Sequence, residues 1–483
     1  MVNKNDIIEI EIIDQGTTGE GIGKVDGYTL FVKDGVIGDE VTVKVMKANK
    51  NFGFARLMEI KKPSKDRVTP RCSVARQCGG CQIQCLSYEE QLKFKQNKVY
   101  NNLVRIGGQN DFVMQDIIGM EEPFNYRNKA QFPVGLDKQG NVVSGFYAGR
   151  THSIIGIDSC DLGLKLDGRD INKEVMDIVK KFMTKYQIEP YNEVTHKGLV
   201  RHVLIRIGAK TKQIMVCIII NGRKLPNKDE LVEKLCKLEG MQSVSLNVNT
   251  NKSNVILGSK IINLYGPGYI EDYIGDVKFR ISPLSFFQVN PVQTEKLYNK
   301  ALEYADLSGN EIVWDLYCGI GSISLFLAKK AKKVLGVEIV PEAIEDARLN
   351  AKINKIDNFE VAFDNFNIDK IINYDENKVN NLLLNKGIIR NKNKILASIN
   401  NSRIFKSIVN EYGSFYKYLC IFTKDKIYYE NNLVTSQLSD AISKDLQKRG
   451  MKFVGSTIIY SFLQAVGIIY SHEKECFLYK SNV

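Results

Sequence analysis

The period of the hydrophobic positions changes along the chain, and each change marks an element. In DIIEIEII (residues 6–13) Ile8, Ile10 and Ile12 alternate with Glu9 and Glu11, the two-residue period of a half-buried strand. A glycine-dense turn (Gly16, Gly19, Gly21, Gly23) and two more strand patterns, Tyr28–Val32 and Glu40–Val45, follow. Short strands at even spacing with glycine turns predict a small β-barrel, and the lysine-rich stretch Lys61–Arg67 reads as the linker out of it. Residues 111–270 alternate strand and helix patterns and include the strand pair LVRHVLIRIG and QIMVCIIING. Ile312–Leu316 is an apolar run of strand length, broken by Gly319 and Gly321. A helical stripe covers Ser324–Ala331, and Val334–Val337 is a second buried strand ending at Glu338. From about Ala362 onward the pattern is helical, with a break at Asn385 and Gly387. Further on, LSDAISKDLQKRGMKFVGSTIIYSFLQAVG reads helix, tight turn at Gly450 and Gly455, helix.

Composition narrows the class. A chain of 483 residues has room for three or four domains at ~100–200 residues each. The hydrophobic fraction of 44% and charged fraction of 25% are those of an ordinary globular protein. The net charge of +12 favours a polyanionic partner, although a lysine surplus from an AT-rich genome would produce it as well. The N-terminal MVNKNDIIEIEIIDQG has no apolar signal core, and the longest apolar run, Ile214–Ile220, is too short to span a bilayer, so the expectation is a cytoplasmic chain without a membrane partner. Ten cysteines in such a chain point to a metal, a cluster or catalysis rather than disulfides.

Three stretches carry candidate chemistry. In RCSVARQCGGCQIQC, Cys72, Cys78 and Cys81 are spaced C-x5-C-x2-C around a Gly-Gly turn, and three thiolates this close can grip one soft metal centre. Zinc and an iron–sulfur cube both require a fourth ligand; Cys160, in the turn GIDSCDLG, is the best candidate and Cys85 the local competitor. In YRNKAQFPVG, GFYAGRTHSI and LVRHVLIRIG, Arg127, Lys129, Arg150, Arg201 and Arg206 stand beside Tyr126, Tyr147 and His202. That mix suits phosphate contact and base stacking, or equally a solvated sheet face. In EIVWDLYCGIGSISLFLAKKAKKVLGVE the order strand, glycine turn, helix, strand, acid places backbone amides and a carboxylate at the carboxyl edge of a parallel sheet. A carboxylate there suits the hydroxyls of a ribose. There is no GxGxxG and no Walker lysine, which argues against a nicotinamide site or a P-loop. Gln288, in ISPLSFFQVNP, either reaches a bound cofactor or caps a turn.

These motifs resemble known families. The barrel resembles a TRAM domain, an OB-like RNA-binding module, and DxxCGxGxxS followed by VGVE resembles the S-adenosylmethionine loop of class I methyltransferases. Together with C-x5-C-x2-C, YRNKAQ and SFFQVNP, the stretch from residue 1 to about 361 resembles the RNA uracil-C5 methyltransferases. The resemblance implies methylation of a uridine in ribosomal or transfer RNA. It also implies a 4Fe–4S cluster on Cys72, Cys78, Cys81 and Cys160, and cofactor contacts from Gln288, Tyr317 and Glu338. The implied organisation is multi-domain α/β: a TRAM barrel (1–62), an iron–sulfur cysteine segment (63–110), a central RNA-binding α+β domain (111–275) and a truncated Rossmann-like methyltransferase domain (276–361). A monomer is expected. The family's nucleophile sits in a Ser-Cys-Asp-Pro segment after an Asp-Pro-Pro-Arg loop, and this sequence contains neither, so no catalytic residue is assigned.

Residues 362–483 are similar instead to DNA-3-methyladenine glycosylase I, a helix–hairpin–helix base-excision enzyme, through GIIRNKNKI, SKDLQKRGMKFVG, YSFLQAVG and H-x3-C. This resemblance implies damaged DNA as a further partner. It gives His472 and Cys476 as two of that family's four zinc ligands, a partial site for zinc. The expected activity is therefore S-adenosylmethionine-dependent RNA methylation, with base excision as the alternative. A non-catalytic RNA-binding remnant or an artefactual join is the remaining reading.

Overall fold

The computed structural model describes residues 2–149, 151–364, 368–384, 390–431 and 433–471. It divides into two compact units, Met1–Glu311 with Ile320–Ala331 and Glu345–Ile356, and Ile312–Gly319 with Lys332–Ile344 and Asp357–Val483.

In the first unit the alternating N-terminal segments form β1 (Ile7–Gln15), β2 (Gly21–Val25), β3 (Tyr28–Lys33), β4 (Glu40–Ala48) and β5 (Phe52–Lys62). They close into a barrel in the order β1-β2-β3-β5-β4. Every second residue points inward, so Ile10, Ile12, Leu30, Val32, Val41, Val43 and Val45 fill the interior. Asp39 is fully buried and gripped by Arg67 beyond β5 (Nη2 to Oδ2, 2.6 Å), so the predicted linker is tied down. Burial pushes the Asp39 carboxyl up, but Arg67 and the amides of Ser64 and Val36 outweigh it and hold the group below its ordinary range.

After helix α1 (Tyr88–Asn101) come β6 (Lys129–Leu136), β7 (Val142–Tyr147), β8 (Ile154–Gly156), α2 (Ile171–Lys185), β9 (Val200–Ile207), β10 (Ile214–Ile220), α3 (Lys228–Cys236), β11 (Met241–Val248) and β12 (Lys260–Tyr265). The strands form one sheet ordered β12-β11-β10-β9-β6-β7-β8. One face carries Phe132, Val134, Val203, Ile205, Val216 and Ile218 and belongs to a single core with Ile171, Val175, Val179 and Phe182 of α2 and Leu231 and Leu235 of α3. The opposite face carries Lys129, facing Arg206 in register, together with Gln131, His202, Ser243 and Ser245. A hairpin, β13 (Ile270–Ile274) and β14 (Val277–Ile281), precedes α4 (Pro291–Ala305), whose N-cap Asn290 accepts from the Gln293 amide.

The second unit holds a three-stranded parallel sheet, β15 (Ile312–Asp315), β16 (Lys333–Glu338) and β17 (Phe359–Asp364), ordered β15-β16-β17. Helix α5 (Ser322–Leu327) belongs to the first unit, and α6 (Pro341–Ile353) runs from the second into the first. The third strand extends past the point at which the helical pattern was expected to begin. Beyond it stand α7 (Ile368–Ile371), α8 (Glu376–Leu384), α9 (Lys392–Tyr412), α10 (Phe415–Thr423), α11 (Gln437–Lys448) and α12 (Ser456–Ala465). A short parallel pair, β18 (Tyr428–Tyr429) with β19 (Ile469–Tyr470), interrupts the expected all-helical character. Helices α9 to α12 share a core of Ile408, Tyr418, Leu419, Ile442, Leu446, Tyr460 and Leu463. Among the described residues no helix is long and apolar enough to cross a membrane.

Candidate functional site

In the second unit, the turn after β15 is fastened to the end of β16. The Gly319 amide donates to Glu338 Oε2 at 2.9 Å, and the Cys318 amide donates to the Val337 carbonyl at 3.0 Å. Glu338 Oε1 accepts from the Ile339 and Val340 amides at 2.7 and 2.9 Å. One carboxylate thus gathers donors from two loops at the carboxyl edge of a parallel sheet. Gly319 has φ +54°, and a Cβ there would meet no atom within 4 Å, so the turn borders open space. Tyr317 stands beside it, 92% exposed. Cys318 is buried beneath the turn against Gly336, where a Cβ would come within 2.9 Å of its sulfur. Burial, then the nearby Asp315 and Glu338, push its thiol up to about 12.

The cysteine segment builds a second candidate site, in the first unit. Cys72, Cys78, Cys81 and Cys160 all line one cavity of about 500 Å3. The loop is anchored by the Gly79 amide on the Tyr147 carbonyl (2.9 Å), so close that a Cβ on Gly79 would sit 2.8 Å from that oxygen. Two sulfurs accept hydrogen bonds, Cys78 from the Gly80 amide (3.3 Å) and Cys81 from Gln84 Nε2 (3.2 Å). Burial raises the Cys81 and Cys160 thiols, and each is raised further by neighbouring thiols, Cys78 and Cys72 for the first, Cys81 and Cys72 for the second. Cys85 lines a smaller adjoining cavity. Its charged neighbours are Arg67, Asp34 and Asp39, and its apolar ones Val36 and Leu86. Cys72 and Cys81 line that smaller cavity too, but Cys160 is the thiol that shares one cavity with all three of Cys72, Cys78 and Cys81. Among the described residues no three His, Cys, Asp or Glu side chains converge on one metal ion. A four-iron cube makes no such demand, since each cysteine ligates a different iron.

The basic residues divide. Arg127 and Lys129 line the cysteine cavity, whereas Arg201, His202 and Arg206 are 3–4% exposed and cannot reach an RNA phosphate from the interior of the sheet. Arg201 stacks on Tyr191 and donates to the carbonyl of Asn251 at 2.8 Å; Arg206 donates to the Ser285 carbonyl. Burial, then Arg201, push His202 down to about 4. Gln288 lines the cysteine cavity, because Asn128 bonds the backbone of Gln288 (3.0 Å) and Val289 (3.0 Å). The sequence reading did not single out Gln84 or the Gly80 amide; their signal is their position within three residues of a candidate sulfur ligand. Arg150, His472 and Cys476 lie outside the described residues.

Sequence comparison now places the chain. An RNA methyltransferase of Clostridium tetani, itself described as uncharacterized, is 50% identical over 361 residues, covering 74% of this chain and 77% of its own. The chain belongs to this RNA methyltransferase family. A second such relative, from Clostridium acetobutylicum, is 49% identical over 362 residues, with 74% and 77% covered. The solved structure of Pyrococcus abyssi tRNA (uracil-54, C5)-methyltransferase in complex with S-adenosyl-L-homocysteine is similar at 28% identity and a TM-score of 0.59. The match covers 73% of this chain and 79% of that one. Family profiles match the TRAM domain at residues 2–58, tRNA (uracil-5-)-methyltransferase at 172–366 and methyladenine glycosylase at 346–479. The last two overlap across the end of α6 and β17.

Proposed function

We propose that this RNA methyltransferase family member binds S-adenosylmethionine at Tyr317 and Glu338, binds RNA through its barrel and central domain, and carries a 4Fe–4S cluster on Cys72, Cys78, Cys81 and Cys160. The observation that carries the cofactor reading is the Glu338 carboxylate, fastened to the Gly319 amide beside an open glycine turn. S-adenosylmethionine, when bound, supplies an electrophilic methyl group. The residues hold it: Glu338 accepts from the ribose hydroxyls, and the exposed Tyr317 ring offers an apolar face. Gln288 is the third residue assigned by resemblance, and weaker cofactor binding in Gln288→Ala is its test. The cavity shared by four thiols supports the cluster, as do two hydrogen bonds onto sulfur, a common way of stabilising cluster thiolates. The domain boundaries given from sequence stand as part of this reading.

Methyl transfer to uracil C5 requires a thiolate to add at C6 and a base to remove the C5 proton. The buried Cys318 thiol, pushed up to about 12, is protonated at neutral pH, and Cys420 on α10 lacks the family's Ser-Cys-Asp-Pro surroundings. We therefore propose cofactor and RNA binding without methyl transfer to uridine. Calorimetric titration with S-adenosylmethionine, followed by tritiated-methyl transfer to uridine-rich RNA, tests both parts. Binding that Glu338→Ala abolishes, with no transfer above background, is expected. Absent binding would sink the cofactor site, and robust transfer would sink the argument from the missing nucleophile.

The glycosylase match favours a second reading for the tail, an association with DNA through the turn between α11 and α12. Base excision is not part of this reading, because the resemblance assigns no catalytic residue for it.

A further inference from the structure

The cysteine cavity contains a charge imbalance that its thiols alone do not explain. Arg127 and Lys129 line it, and among the described residues no carboxylate is ion-paired with either or with Arg206, which faces Lys129 across the strand pair. The acid that also lines the cavity, Asp161, is paired with Arg71 at 3.4 Å. Lys129 is half-buried and Arg206 buried, whereas Arg127 is exposed; buried cations without counter-ions are costly, and such an arrangement persists where an anion offsets them.

The backbone fixes these cations beside the sulfurs. The Arg127 amide donates to the Leu162 carbonyl (2.7 Å) and its carbonyl accepts from the Leu164 amide (2.9 Å), which zips it to the loop carrying Cys160. Arg127 also lies within electrostatic reach of the Cys81 sulfur. Lys129 follows two residues on, at the start of β6, and lines the same cavity. Burial, then Arg206 and Arg127, depress its ammonium to about 8.

We infer that Arg127 and Lys129 are the counter-charges of the cluster on Cys72, Cys78, Cys81 and Cys160, and that they raise its reduction potential. The inference rests on the cluster reading given above. A four-iron cube with four thiolates is a dianion when oxidised and a trianion after one-electron reduction, so a fixed cation beside it favours the reduced form. Removing that cation lowers the midpoint potential.

Anaerobically purified full-length protein, titrated with dithionite and followed by visible absorbance and electron paramagnetic resonance, provides the test. With iron content unchanged, Lys129→Met and Arg127→Gln should each shift the midpoint to more negative values, and Lys129→Arg should restore it. Unshifted potentials in iron-replete variants would overturn the inference. Unshifted potentials with weakened binding of a uridine-containing single-stranded RNA would assign the cations to phosphate instead. Wild-type protein without iron and sulfide would overturn the cluster reading itself, a separate outcome. If Arg127→Gln fails to fold, the Lys129 pair still decides.

Discussion

The Gly319 amide donates a 2.9 Å hydrogen bond to Glu338 Oε2, so the turn after the first parallel strand and the acid ending the second form one unit. Glu338→Ala removes the proposed ribose acceptor and also frees the Gly319, Ile339 and Val340 amides. A hydrogen bond to a charged group is worth about 1.5–3 kcal/mol, which is about 10- to 150-fold in affinity. Calorimetry should show S-adenosylmethionine binding weakened by at least that much, and Glu338→Gln should fall between the alanine variant and wild type.

The four-thiol assignment makes a colour test. Protein purified without oxygen should be brown, with iron and sulfide near stoichiometric. Cys160→Ser should bleach it, whereas Cys85→Ser should not, since Cys85 packs beside Val36 and Leu86 away from the main cavity. Bleaching by Cys85→Ser alone would move the fourth ligand there.

Legibility in the sequence followed the range of the interaction. The barrel and the pairing of the glycine turn with Glu338 were readable because strand period and turn chemistry are local. Cys160 was only one of two candidates from spacing; that it lines one cavity with Cys72, Cys78 and Cys81, while Cys85 lines another with Cys72 and Cys81, is a tertiary fact. Arg201, His202 and Arg206 read as a nucleic-acid face, and the strand period does place His202 and Arg206 together. What the period cannot say is what covers them, here the segment around Ser285 and the carbonyls of Asn249 and Asn251. The third parallel strand was missed because FEVAFD runs into a segment of helical spacing.

His202 gives a pH dependence with a definite sign. Its ring is depressed from 6.5 to about 4, and neither nitrogen has a partner among the described residues. The unfolded chain therefore binds more protons between about pH 4 and 6.5, and stability is lost as pH falls through that window, by up to about 3 kcal/mol. His202→Phe leaves no hydrogen bond unmade and should flatten the slope. Urea unfolding at pH 7 and pH 5 would show it as a smaller difference between midpoints.

Asp39 and Arg67 act lower on the scale. A carboxyl held below its ordinary range contributes stability that is present above about pH 4 and lost as pH falls through the folded-state value. Arg67→Met leaves the buried Asp39 charge unpaired and should cost ~3–5 kcal/mol. Thermal unfolding should show a lowered transition at neutral pH, partly recovered in mild acid as Asp39 protonates. An unchanged transition would mean that the barrel does not depend on the pair.

The join between the two resemblances is the last place where sequence and packing meet. Strand β15 is a sheet edge; its Ile312 and Trp314, and Leu316 just beyond it, are 56, 54 and 59% exposed. Val313, Leu335 and Val337 are only half-buried. The following helices supply little cover of their own: α7 buries no residue, and α8 buries Val379 alone. At ~25 cal/mol per Å2, a few hundred Å2 of uncovered apolar surface is worth several kcal/mol, comparable to the net stability of a whole domain. Local opening, and with it protease attack, concentrates where buried apolar contacts are few. Residues 1–270, which contain the closed barrel and the seven-stranded sheet with its helix-covered face, should survive as a resistant fragment. First cuts should fall between about 355 and 385, where Lys355, Lys370 and Lys378 offer trypsin sites. Limited trypsin digestion with intact-mass detection decides it: a single resistant species of 483 residues would show that the sheet and the helical tail complete each other's cores.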